Sequence, residues 1–258
     1  MSRDVIYQVV EHVARVTINR PERSNAMSRA VQERLVELFD EASNDPDVRV
    51  VVVTGAGGRA FCAGADLKEL DELARSGRPV VTPMTGSHRN VFEAVLETYK
   101  PTIAALNGPA VAGGCELALA CDLRVAVGHA YLGLPEAKRG MGANFASVVL
   151  PRLLPRAVAL EMLYTGNPID ARTALAWGLY NRVVTDDALA AADELARTIA
   201  ANAPLTVRRY KEMAVKGWEL PVPAALRLNA GPNPYQSRDR EEGVRAYLER
   251  RPPNWEGR

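Results

Sequence analysis

The run Val48-Arg49-Val50-Val51-Val52-Val53-Thr54 limits the possible folds most sharply. β-Branched residues without polar alternation make a strand that is apolar on both faces. Such a strand is stable only where both faces are covered, as in a parallel sheet lying under helices. Two more short apolar runs follow, Thr102–Leu106 (TIAAL) and Leu123–Val127 (LRVAV). Helical spacing precedes the first run: Ser28–Asn44 puts Val31, Leu35, Leu38, Phe39 and Ala42 on one face, with Ser28 as N-cap and Asp45-Pro46 as stop. Earlier still, Val5–Asn19 reads as a β-hairpin turning near Glu11-His12. Strands alternating with helices up to Val127 predict an α/β fold with a parallel sheet. Beyond, helical patterns dominate: Ser147–Leu154, Ala157–Thr165, Asp186–Ala201, Leu205–Trp218 and Asp239–Arg250, the last with Asp239 and Glu242 as a capping box.

Composition removes several classes of function. A net charge of +1 over 258 residues implies no broad surface for nucleic acid or anionic lipid. No apolar run approaches the roughly eighteen residues of a membrane span. Met1-Ser2-Arg3-Asp4 is not followed by the apolar core of a signal peptide. Cys62, Cys115 and Cys121 form an odd set without metal spacing, which predicts reduced thiols in a cytoplasmic protein. His12, His88 and His129 are scattered, so no metal site is expected. Gly55-Ala56-Gly57-Gly58 follows a strand and invites a dinucleotide reading, but no G-x-G-x-x-G is present and no helix opens from the loop.

Chemistry concentrates in Asn107–Glu136, where Glu116 and Glu136 both sit in apolar surroundings. Glu116 reads as the first turn of a buried helix that starts at Ala112-Gly113-Gly114. A second helix start lies at Gly64-Ala65-Asp66, with Glu69 as capping partner. Each start offers unpaired N–H groups backed by a helix dipole. Two such donors converging on one carbonyl oxygen make an oxyanion hole. Buried carboxyls with raised pKa values can share general acid and base work. The competing readings are structural: a first-turn Glu held by its helix dipole, and a loop Glu136 paired with Lys138 or Arg139. Leu67–Asn90, which includes His88, is poorly patterned and reads as a broken helix and mobile loop.

Four stretches carry a resemblance: NRPERSNAMS (Asn19–Ser28), AFCAGADLKEL (Ala60–Leu70), NGPAVAGGCELALACDLRVA (Asn107–Ala126) and LGLPE (Leu132–Glu136). With the C-terminal RDREEGVRAYLERRPP, the chain resembles the enoyl-CoA hydratase/isomerase (crotonase) superfamily over nearly its whole length. The resemblance implies a spiral core of ββα units over 1–195 and a C-terminal helical trimerisation region over 196–258. It implies a homotrimer or dimer of trimers acting on an acyl-CoA thioester. No cofactor is implied, coenzyme A being part of the substrate. It places the oxyanion-hole N–H groups at Ala65 and Gly113 and the two hydratase carboxylates at Glu116 and Glu136. It puts Arg23, Ala63, Asp66 and Leu67 near the coenzyme A moiety, with Arg250 or Arg251, from the same or a neighbouring subunit, as a phosphate contact. The implied reaction is syn-type addition of water across the 2,3 double bond of a 2-enoyl-CoA. Within the family the alternative is Δ3,Δ2-enoyl-CoA isomerisation by Glu136 alone. Outside catalysis it is a member that only binds CoA esters or RNA. One segment departs from the family pattern: Met141, Asn144 and Phe145 border the expected acyl pocket, and Phe145-Ala146 stands where a glycine pair is usual.

Overall fold

The computed structural model describes residues 4–77 and 89–258. His88 and the middle of the predicted broken helix lie outside these residues.

The hairpin forms as predicted: β1 (Val5–Val10) pairs antiparallel with β2 (Val13–Ile18). Its two turn residues, Glu11 and His12, have φ of 50° and 67°. That is the left-handed pair a two-residue hairpin turn needs to match strand twist. The helix α1 (Arg29–Asn44) begins where Ser28 accepts from the Val31 N–H at 3.3 Å, and its predicted apolar stripe is buried. The valine run becomes β3 (Val50–Gly55), buried at every residue. After α2 (Leu67–Arg75) and α3 (Val91–Leu96) comes β4 (Thr102–Leu106).

The next elements are short and build the site. They are β5 (Ala110–Val111), α4 (Gly113–Ala120), β6 (Leu123–Val127) and β7 (Tyr131–Gly133). A 3-10 turn, Pro135–Arg139, leads to α5 (Asn144–Leu153) and α6 (Arg156–Thr165). Then come β8 (Ile169–Asp170), α7 (Ala171–Ala176) and β9 (Arg182–Val184). The helices α8 (Ala188–Ala200), α9 (Pro204–Gly217), α10 (Val222–Leu228) and α11 (Arg238–Glu249) complete the order.

The main sheet runs β1-β2-β3-β4-β6-β9 and is parallel from β2 onward. A second sheet, β5-β7-β8, is small. The core helix α4 is buried from Gly114 to Ala120, so it is apolar all round rather than striped. The helix α8 lies on the main sheet, and the expected boundary at 195/196 falls inside it.

Three local expectations need correction. Glu69 does not cap α2: its carboxylate reaches across to the Arg29 N–H at 2.9 Å, and Asp66 alone caps, accepting from Lys68 N. The cap of α11 is Ser237, which accepts from the Arg240 N–H. Asp239 is buried and instead accepts from Glu256 N at 2.7 Å and Gly257 N at 3.1 Å, while Glu242 pairs with Arg251. The helix α5 starts three residues before its predicted Ser147.

Candidate active site

The small sheet explains how residues twenty positions apart meet. β5 and β7 are parallel neighbours, with Val111 opposite Gly133, and the Ala112 N–H donates to Gly133 O at 2.8 Å. The chain leaves β5 into Gly113 and α4, and leaves β7 into Pro135-Glu136. Glu116 therefore lies one turn into α4, and Glu136 just beyond the neighbouring strand.

The first helix start is brought against this one. Gly64 has φ +89°, and a Cβ placed on it would fall 2.8 Å from the Ala112 Cβ and 2.9 Å from the Gly113 nitrogen. Only glycine permits both the conformation and the approach. A single parallel bridge, Met27 to Ala65, fixes the segment: Met27 N–H donates to Gly64 O at 2.7 Å and Asp66 N–H to Met27 O at 3.1 Å. The Ala65 N–H faces away from that bridge. Among the described residues neither the Ala65 nor the Gly113 N–H donates to a protein acceptor. Ala112, with φ 55° and ψ −130°, provides no side-chain cap for α4.

Both carboxylates are buried, at 5% and 6% exposure. The loop pairing considered for Glu136 is absent: Lys138 donates to Asn167, and no ion pair to Glu136 is found among the described residues. Its Oε2 is buried with no hydrogen-bond partner. Burial raises the Glu136 carboxyl, and its own N–H and Arg139 offset this in part. Burial also raises Glu116, to about 7, helped by the charge of Glu136. Against this, the Ala146 N–H donates to Glu116 Oε1 at 2.9 Å, and the Phe145 N–H also favours the charged form. Cys115 lies beside both: burial, then the charges of Glu116 and Glu136, push its thiol well up and keep it protonated.

The remaining predicted residues separate. Phe145 is buried against Phe92, ring centroids 5.4 Å apart. Phe92 Cζ and Met27 Cε lie 3.6 and 3.5 Å from where a Gly113 Cβ would stand. Met141 is 40% exposed, and Asn144 opens α5. Arg23 is exposed at the end of a 3-10 turn, with no ion pair among the described residues. Ala63 joins that turn through its N–H to Ser24 O at 3.1 Å, and Leu67 is half exposed. The Asp66 carboxylate is not free: it holds Arg20 at 2.9 Å and caps α2. Arg251 is also committed, bidentate to Glu242 at 2.6 and 2.9 Å, whereas Arg250 is exposed at the end of α11. Phe92, Met27 and the Ala146 N–H were missed in the sequence; each reaches the site through tertiary contact that no local pattern announces. A cleft of about 590 Å³, lined by Asp40, Glu97 and Lys211 among others, contains none of the paired glutamates or free N–H groups.

Taken together, these features define an α/β protein whose parallel sheet supports two abutting helix starts and a buried carboxylate pair. The chain belongs to the enoyl-CoA hydratase/isomerase family, whose sequence pattern matches residues 8–258, and its fold is the crotonase fold. It is 40% identical to (E)-benzylidenesuccinyl-CoA hydratase of Thauera aromatica, over 98% of this chain and 99% of that protein. It is 39% identical to carnitinyl-CoA dehydratase of Citrobacter koseri, over 95% of each. The crystal structure of an enoyl-CoA hydratase from Mycobacterium tuberculosis H37Rv superposes with a TM-score of 0.90, at 34% identity and full coverage of both chains. Among the described residues no helix is long and apolar enough to cross a membrane.

Proposed function

We propose that the protein is a hydro-lyase that adds water to a 2-enoyl-CoA thioester. The observation that carries this reading is the buried pair Glu116 and Glu136, one oxygen of which, Glu136 Oε2, has no partner. A buried carboxyl oxygen without a donor is costly unless a ligand or proton completes it.

The thioester oxygen accepts from the Ala65 and Gly113 N–H groups. Glu116 takes a proton from water while the oxygen of that water bonds to C3. The C2=C3 electron pair moves into the thioester, and the enolate charge rests on its oxygen. Glu136 delivers its proton to C2, giving the 3-hydroxyacyl-CoA. The proton then passes from Glu116 back to Glu136. The roles are those the family resemblance implies, and one local feature supports them: the Ala146 N–H fixes Glu116 Oε1 in place, whereas Glu136 Oε2 has no partner and has room for a proton. No cofactor enters the scheme, and coenzyme A belongs to the substrate.

The exposed, unpaired Arg23 is the phosphate contact this reading favours in one subunit. Arg23→Ala is expected to raise KM for a CoA ester about tenfold and leave kcat within about twofold, the loss of one charge-assisted contact. Steady-state kinetics check this. Arg250 serves as a second contact if subunits associate. Apolar side chains along α10 and α11, among them Val222, Leu226, Val244 and Leu248, are exposed in one chain and support association of copies, for which this reading takes a homotrimer or dimer of trimers; a cytoplasmic location is part of the same proposal.

The deciding experiment is a panel of straight, branched and aromatic 2-enoyl and 3-enoyl thioesters with products identified by mass spectrometry. Hydration gains 18 mass units, about one water, and makes a 3-hydroxyacyl product. A 3-enoyl substrate converted to its 2-enoyl isomer with no hydrated product would make the protein an isomerase instead. Phe92 and Phe145 line the acyl side near Gly113, which is why aromatic acyl groups belong in the panel.

A further inference from the structure

We infer that Arg20 is a positioning residue for the Ala65 N–H donor, holding both flanks of the bridge that aims it. The inference rests on the hydration reading above for its catalytic consequence.

The Ala65 N–H points into the site because Met27 and Ala65 pair through one isolated bridge, not a strand. In a parallel pairing the residue opposite its partner turns its own N–H to the far side. A single bridge has no neighbouring rungs to keep it in register, so something else must.

Arg20 supplies that restraint. Its Nη1 donates to Ala26 O at 2.6 Å, the residue before Met27. Its Nη2 donates to Asp66 Oδ2 at 2.9 Å, the residue after Ala65. One rigid guanidinium therefore ties the two segments immediately beside the bridge. Its Nε also faces Asp4 at 3.6 Å. The Arg20 backbone is fixed in turn by Asn25, which is fully buried: Asn25 Oδ1 accepts from Arg20 N at 3.0 Å, and Asn25 N donates to Arg20 O at 2.9 Å. The side chains of Arg20 and Asp66 are 14% and 10% exposed, so water competes little for the pair. Burial raises the Asp66 carboxyl, and Arg20 together with the Lys68 N–H outweighs it, leaving Asp66 below its ordinary value and charged at neutral pH. Lysine cannot replace this geometry, since an ammonium lacks the planar fork that reaches both acceptors.

The test compares wild type with Arg20→Lys, Arg20→Met, Arg20→Met/Asp66→Asn and the control Arg15→Met. The control breaks a comparable part-buried pair, Arg15 with Asp193 at 2.6 Å, between β2 and α8. Two readouts report on the oxyanion donor. One is the kcat and KM of the best panel substrate. The other is the red shift of bound 4-dimethylaminocinnamoyl-CoA, a push–pull chromophore that responds to polarisation of its carbonyl. Arg20→Met is expected to lower kcat roughly thirtyfold, with KM within about threefold, and to lose half or more of the red shift. Arg20→Lys should lose about tenfold in kcat, and Arg15→Met should retain both signals. The double variant should be no worse than Arg20→Met, because it no longer leaves Asp66 charged and unpaired.

A third readout does not depend on turnover. The Met27 and Asp66 amides should exchange their hydrogens about tenfold faster in Arg20→Lys than in wild type, and unchanged in Arg15→Met. Should Arg20→Met fail to fold, Arg20→Lys decides. Unchanged exchange at these two amides overturns the inference, whatever the wild type catalyses. Full kcat and red shift in Arg20→Lys and Arg20→Met would overturn it too. A wild type that hydrates nothing, yet loses amide protection in Arg20→Lys, removes the hydration reading and keeps the clamp.

Discussion

Glu116→Gln is expected to lower kcat about a thousandfold and, at the same time, to raise the melting temperature above neutral pH. The first effect follows from removing the proposed base. The second follows from the cost of holding a charge there. The folded Glu116 carboxyl has its pKa raised from 4.5 to about 7. The folded state therefore holds the proton more tightly than the unfolded chain, and wild-type stability falls as pH rises from about 4.5 through 7. The shift of about 2.5 units corresponds to roughly 3 kcal/mol once the pH lies above both values. Glutamine keeps an oxygen for the Ala146 N–H and carries no charge. The variant should gain nothing near pH 4.5 and about 5–10 °C at pH 8.5. Thermal unfolding followed by circular dichroism at several pH values, with kinetics on the same samples, measures both. Equal or lower melting temperatures across the whole range would mean that the buried charge costs the fold nothing.

The second large effect distinguishes two adjacent glycines. Gly114→Ala is expected to abolish folding, or to cost about 4 kcal/mol or more. Its Cβ would stand 2.1 Å from the Cys62 carbonyl oxygen and 2.6 Å from its carbon. Both are backbone atoms, held because the Cys62 oxygen accepts from Val111 N at 2.9 Å, so no rotamer can relieve the clash. Gly113→Ala meets only ordinary contacts, the nearest at 3.5 Å. It should fold, with a melting temperature within a few degrees of wild type, and keep its N–H. Its methyl would stand between Met27 and Phe92, so turnover should fall while the fold survives. Soluble expression and thermal melts separate the two; a folded Gly114→Ala would refute the proposed close crossing of α4 over Cys62.

The parts legible in the sequence are those written in period and punctuation. The β-branched run announced β3, and Ser28 and Asp66 announced their helices because an N-cap is a local device. Glu116 stood out because its helix is apolar on every side. What stayed hidden depends on distant partners. β5, β7 and β8 are two or three residues long, too short for any periodicity, yet they juxtapose Gly113 and Glu136. Glu69 and Asp239 looked like capping residues by spacing, but long-range donors competed and won: the Arg29 N–H takes the first, and the Glu256 and Gly257 N–H groups take the second. Arg251 looked free until its fork met Glu242. The short helix α10 follows Pro221 and escaped notice because its apolar residues remain on the surface of the single chain.

The bond from Ala146 N–H to Glu116 has a consequence for how such a site can change over generations. The helix α5 has Ala143 in its N-cap position and receives no side-chain cap from it. The carboxylate of Glu116, belonging to a different helix, does that work instead. The proposed base and the helix cap are thus one inherited trait. A descendant that trades the proposed hydration for another reaction by discarding Glu116 also uncaps α5, losing about 1 kcal/mol. Its simplest repair is serine, aspartate or asparagine at position 143, and that second substitution would mark the lineage that changed its chemistry.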